Sequence, residues 1–327
     1  MQHVFRPSFR VQSRLASAAF VLAFFASAAR ADDAMQWLTR AAQAARELNY
    51  VGTIVYQIGP RVETSRITHL NDAGHEFEKL VNLDGPAREL VRTQGEVRCY
   101  YPDAKLVRVE PRTFRNVFPG LSPQQQQSLS KFYDFRVIGD DRVSGRPVQV
   151  VVFQPRDDLR YGHRFWSDAE TGLLLKARLL NEKDEGIEQF AFTDISVNAP
   201  VDRSMVAPSW PVTPKDWQVL EGASDDVVRQ ATGWVVTRIP AGFEKIMEGF
   251  RKLHGRGERV AHLVFSDGLV SVSVFIEPQG APSAPVGFVH QGGLNVYSVR
   301  HDDHVVTVMG ETPSATVRQI ANSVEHR

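Results

Sequence analysis

The sequence predicts an α+β chain, mostly antiparallel β: a large curved sheet with helices, followed by a smaller α+β module at the C-terminus. Three observations carry this. Period-two alternation recurs in short segments from residue 50 to 195, with turn residues between them. Helical spacing is confined to a stretch near residue 40, a glutamine-rich stretch near 125 and the C-terminal end. Between the two sheet-like regions, Pro208, Pro211 and Pro214 alternate with Trp210 and Trp217 without a regular period, as an interdomain linker does. The expected organisation is a leader over 1–31, a large domain over 32–205, a linker over 206–230 and a small domain over 231–327.

The elements follow in order. Arg6, Arg10 and Arg14 precede an apolar run over 15–29, which ends in Ala29-Arg30-Ala31. This is the basic, apolar and A-x-A sequence of a secretory signal peptide, with cleavage expected after Ala31; a retained anchor is the alternative. Asp32 and Asp33 then suit the start of a helix in which Trp37, Ala41, Ala45 and Leu48 fall near helical spacing. From Tyr50 the period changes to two, and strands are expected over 50–58, 62–70, 76–83, 89–93, 97–101, 105–109 and 148–154. Ser122-Pro123 opens an expected helix running to Lys131, with Leu129, Phe132 and Tyr133 at its apolar end.

The best-organised stretch is Tyr161-Gly-His-Arg-Phe-Trp166, the turn 167–172, the strand 173–180, the turn 181–186 and the strand 187–195. Leu173, Leu175, Ala177 and Leu179 alternate with Leu174, Lys176, Arg178 and Leu180, and Phe190 and Phe192 share a face. Beyond the linker, 233–243 reads as a strand and turn. Two hairpins follow, around Ser266-Asp-Gly268 and His301-Asp-Asp-His304. A Thr312-Pro313-capped helix with a stripe of Val317, Ile320 and Val324 closes the chain.

Composition narrows the function. Removing the leader takes four of the 38 Lys+Arg and none of the 38 Asp+Glu, so the mature chain is mildly acidic. Nothing in that balance calls for nucleic acid. Cys99 is the single cysteine, so no internal disulfide can form; in a strand beside Tyr100 and Tyr101 it reads as a small hydrophobe. His301 and His304 lie in an expected hairpin turn, short of the three or four fixed ligands zinc requires. No nucleophile elbow, H-E-x-x-H, Walker or Rossmann signature occurs. A binding protein without catalysis, cofactor or metal is the expectation, and an envelope hydrolase is the distant alternative.

With these residues laid out, the chain resembles the RseB/MucB family of periplasmic regulators of the extracytoplasmic stress sigma factor. The matching motifs are Leu83-Asp-Gly-Pro-Ala-Arg-Glu-Leu-Val91, Phe132-Tyr-Asp-Phe135, the 161–192 meander, Ile239-Pro-Ala-Gly-Phe243, Phe265-Ser-Asp-Gly-Leu269 and Val308-Met-Gly-Glu-Thr-Pro313. The resemblance implies a large domain like the lipoprotein carrier LolA, an unclosed half-barrel over helices, with a separate small domain. It also implies a periplasmic protein that binds the periplasmic region of a membrane-spanning anti-sigma factor of RseA/MucA type. That binding shields the anti-sigma factor from regulated proteolysis, and lipid A, lipopolysaccharide fragments or acyl chains favour release. A lipid or lipoprotein carrier of LolA type is the second reading, and a homodimer is left open.

A curved sheet whose helices leave its hollow unfilled suits acyl chains, each buried methylene being worth roughly 0.8 kcal/mol. The expected lining is Ile54, Tyr56, Phe114, Val117, Phe118, Leu121, Phe132, Phe135 and Phe165, joined less directly by Leu173, Leu175, Phe190 and Phe192. Taken singly, each reads first as ordinary core. For the anti-sigma segment, strand addition to an open edge near 269–276 and 294–300 is expected, through Val270, Val272, Val274 and Val296. Arg251, Lys252, Arg256 and Arg259, in an expected loop, are candidates to steer an acidic partner.

Overall fold

The structure is a computed structural model and describes residues 33–111, 129–221, 228–252, 259–278 and 286–327. The expected leader, Phe114, Val117, Phe118, Leu121 and Arg256 lie outside the described residues. Among those residues the strands form a twelve-stranded sheet, a six-stranded sheet and a two-stranded ribbon.

Helix α1 covers residues 33–47. Ala34, Leu38, Ala41, Ala42 and Ala44 are its buried positions, a face rotated slightly from the expected Trp37 stripe. Trp37, Ala45 and Leu48 of that stripe pack half-buried against the core, and the Arg40 guanidinium lies 4.3 Å from the Trp37 ring centroid. Asn49 follows the helix, and its Oδ1 accepts from the Asn71 amide at 2.7 Å, tying the helix end to the sheet.

Six strands then run outward as a meander: β1 (Tyr50–Ile58), β2 (Arg61–Asp72), β3 (His75–Asn82), β4 (Glu89–Arg92), β5 (Glu96–Tyr101) and β6 (Leu106–Pro111). Five more return: β7 (Tyr133–Val143), β8 (Arg146–Pro155), β9 (Gly162–Asp168), β10 (Leu174–Leu180) and β11 (Gly186–Val197). Strand β11 pairs antiparallel with β1, joining the two meanders. The sheet stays unclosed, with β7 at one edge and β12 (Gln218–Glu221) at the other.

Three features differ from the sequence reading. Tyr133, expected at a helix end, opens β7; Tyr133, Phe135 and Val137 alternate with exposed Asp134 and Arg136, and the period stops at Gly139, Asp140, Asp141 and Arg142. In β10 the register shifts between Leu174 and Lys176 and again between Leu179 and Leu180, so Leu173, Leu174 and Leu175 are all buried, as are Leu179 and Leu180, in place of the expected alternation. Within the expected linker, Gln218–Glu221 adds to β6 in parallel. The stretch before it is also attached to the large sheet: Lys79 Nζ donates to Ala207 O at 2.9 Å, and Arg98 Nη1 donates to Val212 O at 3.0 Å.

The small domain pairs β13 (Trp234–Val236) with β20 (Val324–His326) beside a sheet of order β14-β15-β16-β19-β18-β17. Its strands are β14 (Glu244–Lys252), β15 (Arg259–Ser266), β16 (Ser271–Pro278), β17 (Gly287–Gln291), β18 (Leu294–His301) and β19 (His304–Gly310). Helix α2 (Ser314–Ala321) starts after Pro313 without a side-chain cap and buries Val317 and Ile320 against β18 and β19. Val324 has already left the helix for β20. Of the basic stretch expected as a loop, Arg251 and Lys252 end β14, the sheet's edge strand, and Arg259 opens β15. Among the described residues, no helix is long and apolar enough to cross a membrane.

Candidate functional site

The strand registers build a cavity on the concave face of the large sheet. Tyr50 of β1 stands opposite His69 of β2, His69 opposite Glu78 of β3, and Glu78 opposite Arg92 of β4. One step along, Gly52, Ile67, Leu80 and Leu90 form the parallel row. Same-face neighbours on a pleated sheet recur every second residue, so a polar row and an apolar row lie side by side. Ala42, Ala45 and Arg46 of α1 cover them, with Ile54, Leu173, Leu174, Phe190 and Phe192 closing the apolar side. The cavity volume is about 300 Å³.

The polar row is internally matched. Arg92 Nη1 lies 3.4 Å from Glu78 Oε1, both side chains 14% exposed, while Arg92 Nε, buried, has no hydrogen-bond partner. The His69 ring stacks on Tyr50 with centroids 4.9 Å apart, and its Nδ1 donates to Leu48 O at 2.8 Å. Burial, and then the Glu78 charge, hold the Tyr50 hydroxyl protonated far above the ordinary phenol range. The site therefore offers an apolar slot with a cation–carboxylate wall. It presents no nucleophile–base pair, and no cluster of three metal-ligating side chains occurs among the described residues.

The expected lining residues separate into three groups. Ile54, with Leu173, Phe190 and Phe192, lines the cavity. Phe135 and Phe165 do not: both pack edge-on to Phe153, at 4.9 and 5.1 Å, in a cluster closed by Ala34 and Leu38 of α1. Leu175 is likewise core, fully buried. Tyr56 and Phe132 lie where the domains meet. The Tyr56 hydroxyl donates to Glu188, which in turn accepts from the Gly293 amide at 3.2 Å, and the Phe132 ring lies 4.7 Å from the Arg160 guanidinium. Sequence reasoning missed His69, Glu78 and Arg92. Their signal is a charge on the apolar side of an alternation, which only the register reveals.

The expected docking edge is corrected more sharply. Val270, Val272 and Val274 are buried, and β16 is paired on both sides, by β15 and β19. Val296 is half-buried on β18, which β17 and β19 flank. A hairpin signal shows that two strands pair but not what covers their outer sides. The open edges of this sheet among the described residues are β14 and β17. Arg251 pairs with Val260 and Lys252 with Arg259 at the end of the β14–β15 ladder, where Arg259 is exposed. His301 and His304 both pack against Trp234, at 6.4 and 4.9 Å. Cys99 is half-buried in β5.

Known proteins align with this architecture along most of its length. The family model for the MucB/RseB N-terminal domain matches residues 33–210, and that for the MucB/RseB C-terminal domain matches residues 228–325. The sigma factor AlgU regulatory protein MucB of Pseudomonas aeruginosa is 34% identical over 316 residues, covering 91% of this chain and 92% of that protein. The sigma-E factor regulatory protein RseB of Escherichia coli K12 is 26% identical over 283 residues, 86% of this chain and 87% of its own. The solved complex of P. aeruginosa MucA and MucB superposes with a TM-score of 0.69 at 31% identity, covering 90% of this chain and 99% of that one. A crystal structure of MucB bound to MucA(peri) gives the same values. With both domain models matched in order and a relative above 30% identity spanning nine-tenths of the sequence, this chain belongs to the MucB/RseB family.

Proposed function

We propose that this chain is a periplasmic regulatory protein that binds the periplasmic region of a membrane-spanning anti-sigma factor, shields it from regulated proteolysis and so represses an envelope stress response. The observation that carries the reading is the superposition of both domains, over 90% of the chain, on MucB in complex with MucA. Its work is recognition, with no bond made or broken. The decisive experiment is a pull-down of the cognate anti-sigma periplasmic region by the mature chain. Saturable capture is expected, and absence of capture at micromolar concentrations overturns the reading.

The cavity gives the regulatory input in this proposal. At about 300 Å³ it lies at the lower end of the roughly 300–1,000 Å³ range of ligand pockets, which suits one acyl chain rather than the whole body of lipid A. The apolar row accepts the chain and the Glu78–Arg92 wall faces its polar end. A ligand can drive release only by favouring an arrangement that the partner disfavours. Titrating the captured complex with lipid A fragments or a fatty acid is expected to lower retention; unchanged retention at lipid saturation rules out the input while leaving partner binding intact. The same cavity also favours a lipid or lipoprotein carrier, which a lipoprotein-release assay distinguishes.

A further inference from the structure

The domains meet along a seam separate from the cavity. The loop between β8 and β9 enters the small domain through Leu159, Arg160 and Tyr161. The Arg160 side chain has no solvent exposure. Its guanidinium lies between the Phe132 and Phe243 rings, 4.7 and 4.9 Å from their centroids. Its Nε donates to Asp267 Oδ2 at 3.0 Å, Nη1 donates to Asp157 and Nη2 to Ala241 O. The Asp267 side chain is equally unexposed, and its carboxylate accepts three further donors: the Tyr133 hydroxyl and the Leu269 and Val270 amides, each at 3.0 Å. Gly242 makes room for this packing, since a Cβ there would lie 2.3 Å from the Phe132 ring.

The rest of the seam is polar and close-fitting. Thr316 Oγ1 donates to Leu159 O at 2.7 Å, and Asn295 Nδ2 donates to the Tyr161 hydroxyl at 2.9 Å. At the far end the β17–β18 turn rests on β10 and β11, where a Cβ on Gly293 would lie 2.2 Å from Leu179 Cδ2.

We propose that Arg160 and Asp267 form a latch that holds the two domains in one arrangement and lets them part only in a single step. A desolvated cation and anion are stable while paired and costly when separated without water. Sliding the seam would leave Asp267 dry without its cation, while Arg160 kept only Asp157 of its own loop, so intermediate arrangements are disfavoured. The seam is either closed and dry or open with both charges hydrated, a bistable contact rather than a graded one. The latch concerns how the domains are held and stands whether or not the partner reading does.

The test uses the full mature chain with spin labels at the exposed Lys183 and Asp303, in a Cys99→Ser background, read by double electron–electron resonance. One narrow distance is expected for the otherwise unaltered chain. Arg160→Met and Asp267→Asn (which keeps an acceptor for the hairpin amides) are each expected to move most molecules to longer distances. The double variant is expected to go no further than the worse single one, since the two residues act as a pair. Gly293→Leu, a wedge at the opposite end, is expected to produce the same open population. Single variants that remain narrow while circular dichroism shows them folded, additive effects in the double variant, or an intermediate distance with the wedge each overturn the latch. Native-state hydrogen exchange reads the far end of the seam directly: the Gly293 amide, which donates across it to Glu188, is expected to lose protection in Asp267→Asn, and unchanged protection rejects a single step.

Discussion

The two sheets bury their inner faces differently. In the small domain α2 and the β13–β20 ribbon close the core, and Val272, Val274, Val306, Val308, Val317 and Ile320 have no measurable exposure. In the large domain the fifteen residues of α1 extend only about 22 Å, whereas twelve strands spread over roughly 55 Å. The helix packs tightly over β7–β9, through Ala34 and Leu38 against Phe135, Val151 and Phe153. By β1–β4 only its last turn is left, and the cavity opens there. The difference teaches that the cavity is a consequence of element lengths: among the described residues a short helix on a wide sheet leaves a slot, and a narrow sheet with its own helix leaves none.

Three predictions break or sharpen this comparison. Ile320→Ala, in the closed core, is expected to destabilise the small domain by about 2–5 kcal/mol, read as a lower urea midpoint; a cost below 1 kcal/mol would mean the core is not filled. Acid is expected to act on both domains, through His163 in the large one and His262 in the small one. Burial lowers the pKa of His163 in the large domain and His262 in the small domain to about 4, while in the unfolded chain each titrates near 6.5. Stability is therefore full above about pH 6.5 and lost as pH falls towards 4, because the unfolded state takes up the proton first. The loss is on the order of 3 kcal/mol per histidine across that window. The His262 ring stacks on Phe275 at 4.2 Å with both nitrogens unpartnered, so His262→Phe is expected to flatten the small domain's share of the pH–stability curve; an unchanged slope contradicts this. The smallest stability effect belongs to the slot. Leu80→Phe fills existing space and is expected to shift stability by less than about 1.5 kcal/mol while weakening binding of a fluorescent fatty acid at least tenfold. Undiminished binding would place the lipid elsewhere.

Much of this was legible in the residues. The meander of β9, β10 and β11 shows itself because Leu175, Ala177 and Leu179 alternate in β10, Phe190 and Phe192 share a face in β11, and each turn carries Gly, Asp or Asn. Strands β7 and β14 show less: in β7 the period of Tyr133, Phe135 and Val137 is too short and ends at Asp140 and Asp141, and in β14 Lys245, Glu248 and Arg251 interrupt the apolar residues of an edge. The cavity was half-legible. Ile54, Phe190 and Phe192 follow from alternation, but Glu78 and Arg92 look like solvent-side charges until β3 and β4 are set beside Tyr50 and His69. Val272 and Val274 were misplaced because the strand that covers β16 on its far side, β19, comes some thirty residues later. Arg160 gave no signal at all, since its partner Asp267 lies 107 positions away.

The short parallel strand β12 has a consequence for motion. It fastens the chain to the β6 edge at Glu221, and the small domain takes up the chain again at Val228, where it bridges to Phe250. The intervening stretch can extend to no more than roughly 25 Å at about 3.5 Å per residue. A small domain freed from its seam would therefore remain on a short leash, at an effective local concentration in the millimolar range. Its return would be first order and indifferent to dilution, so a ligand that keeps the domains apart must outcompete a tethered neighbour rather than a dissolved one.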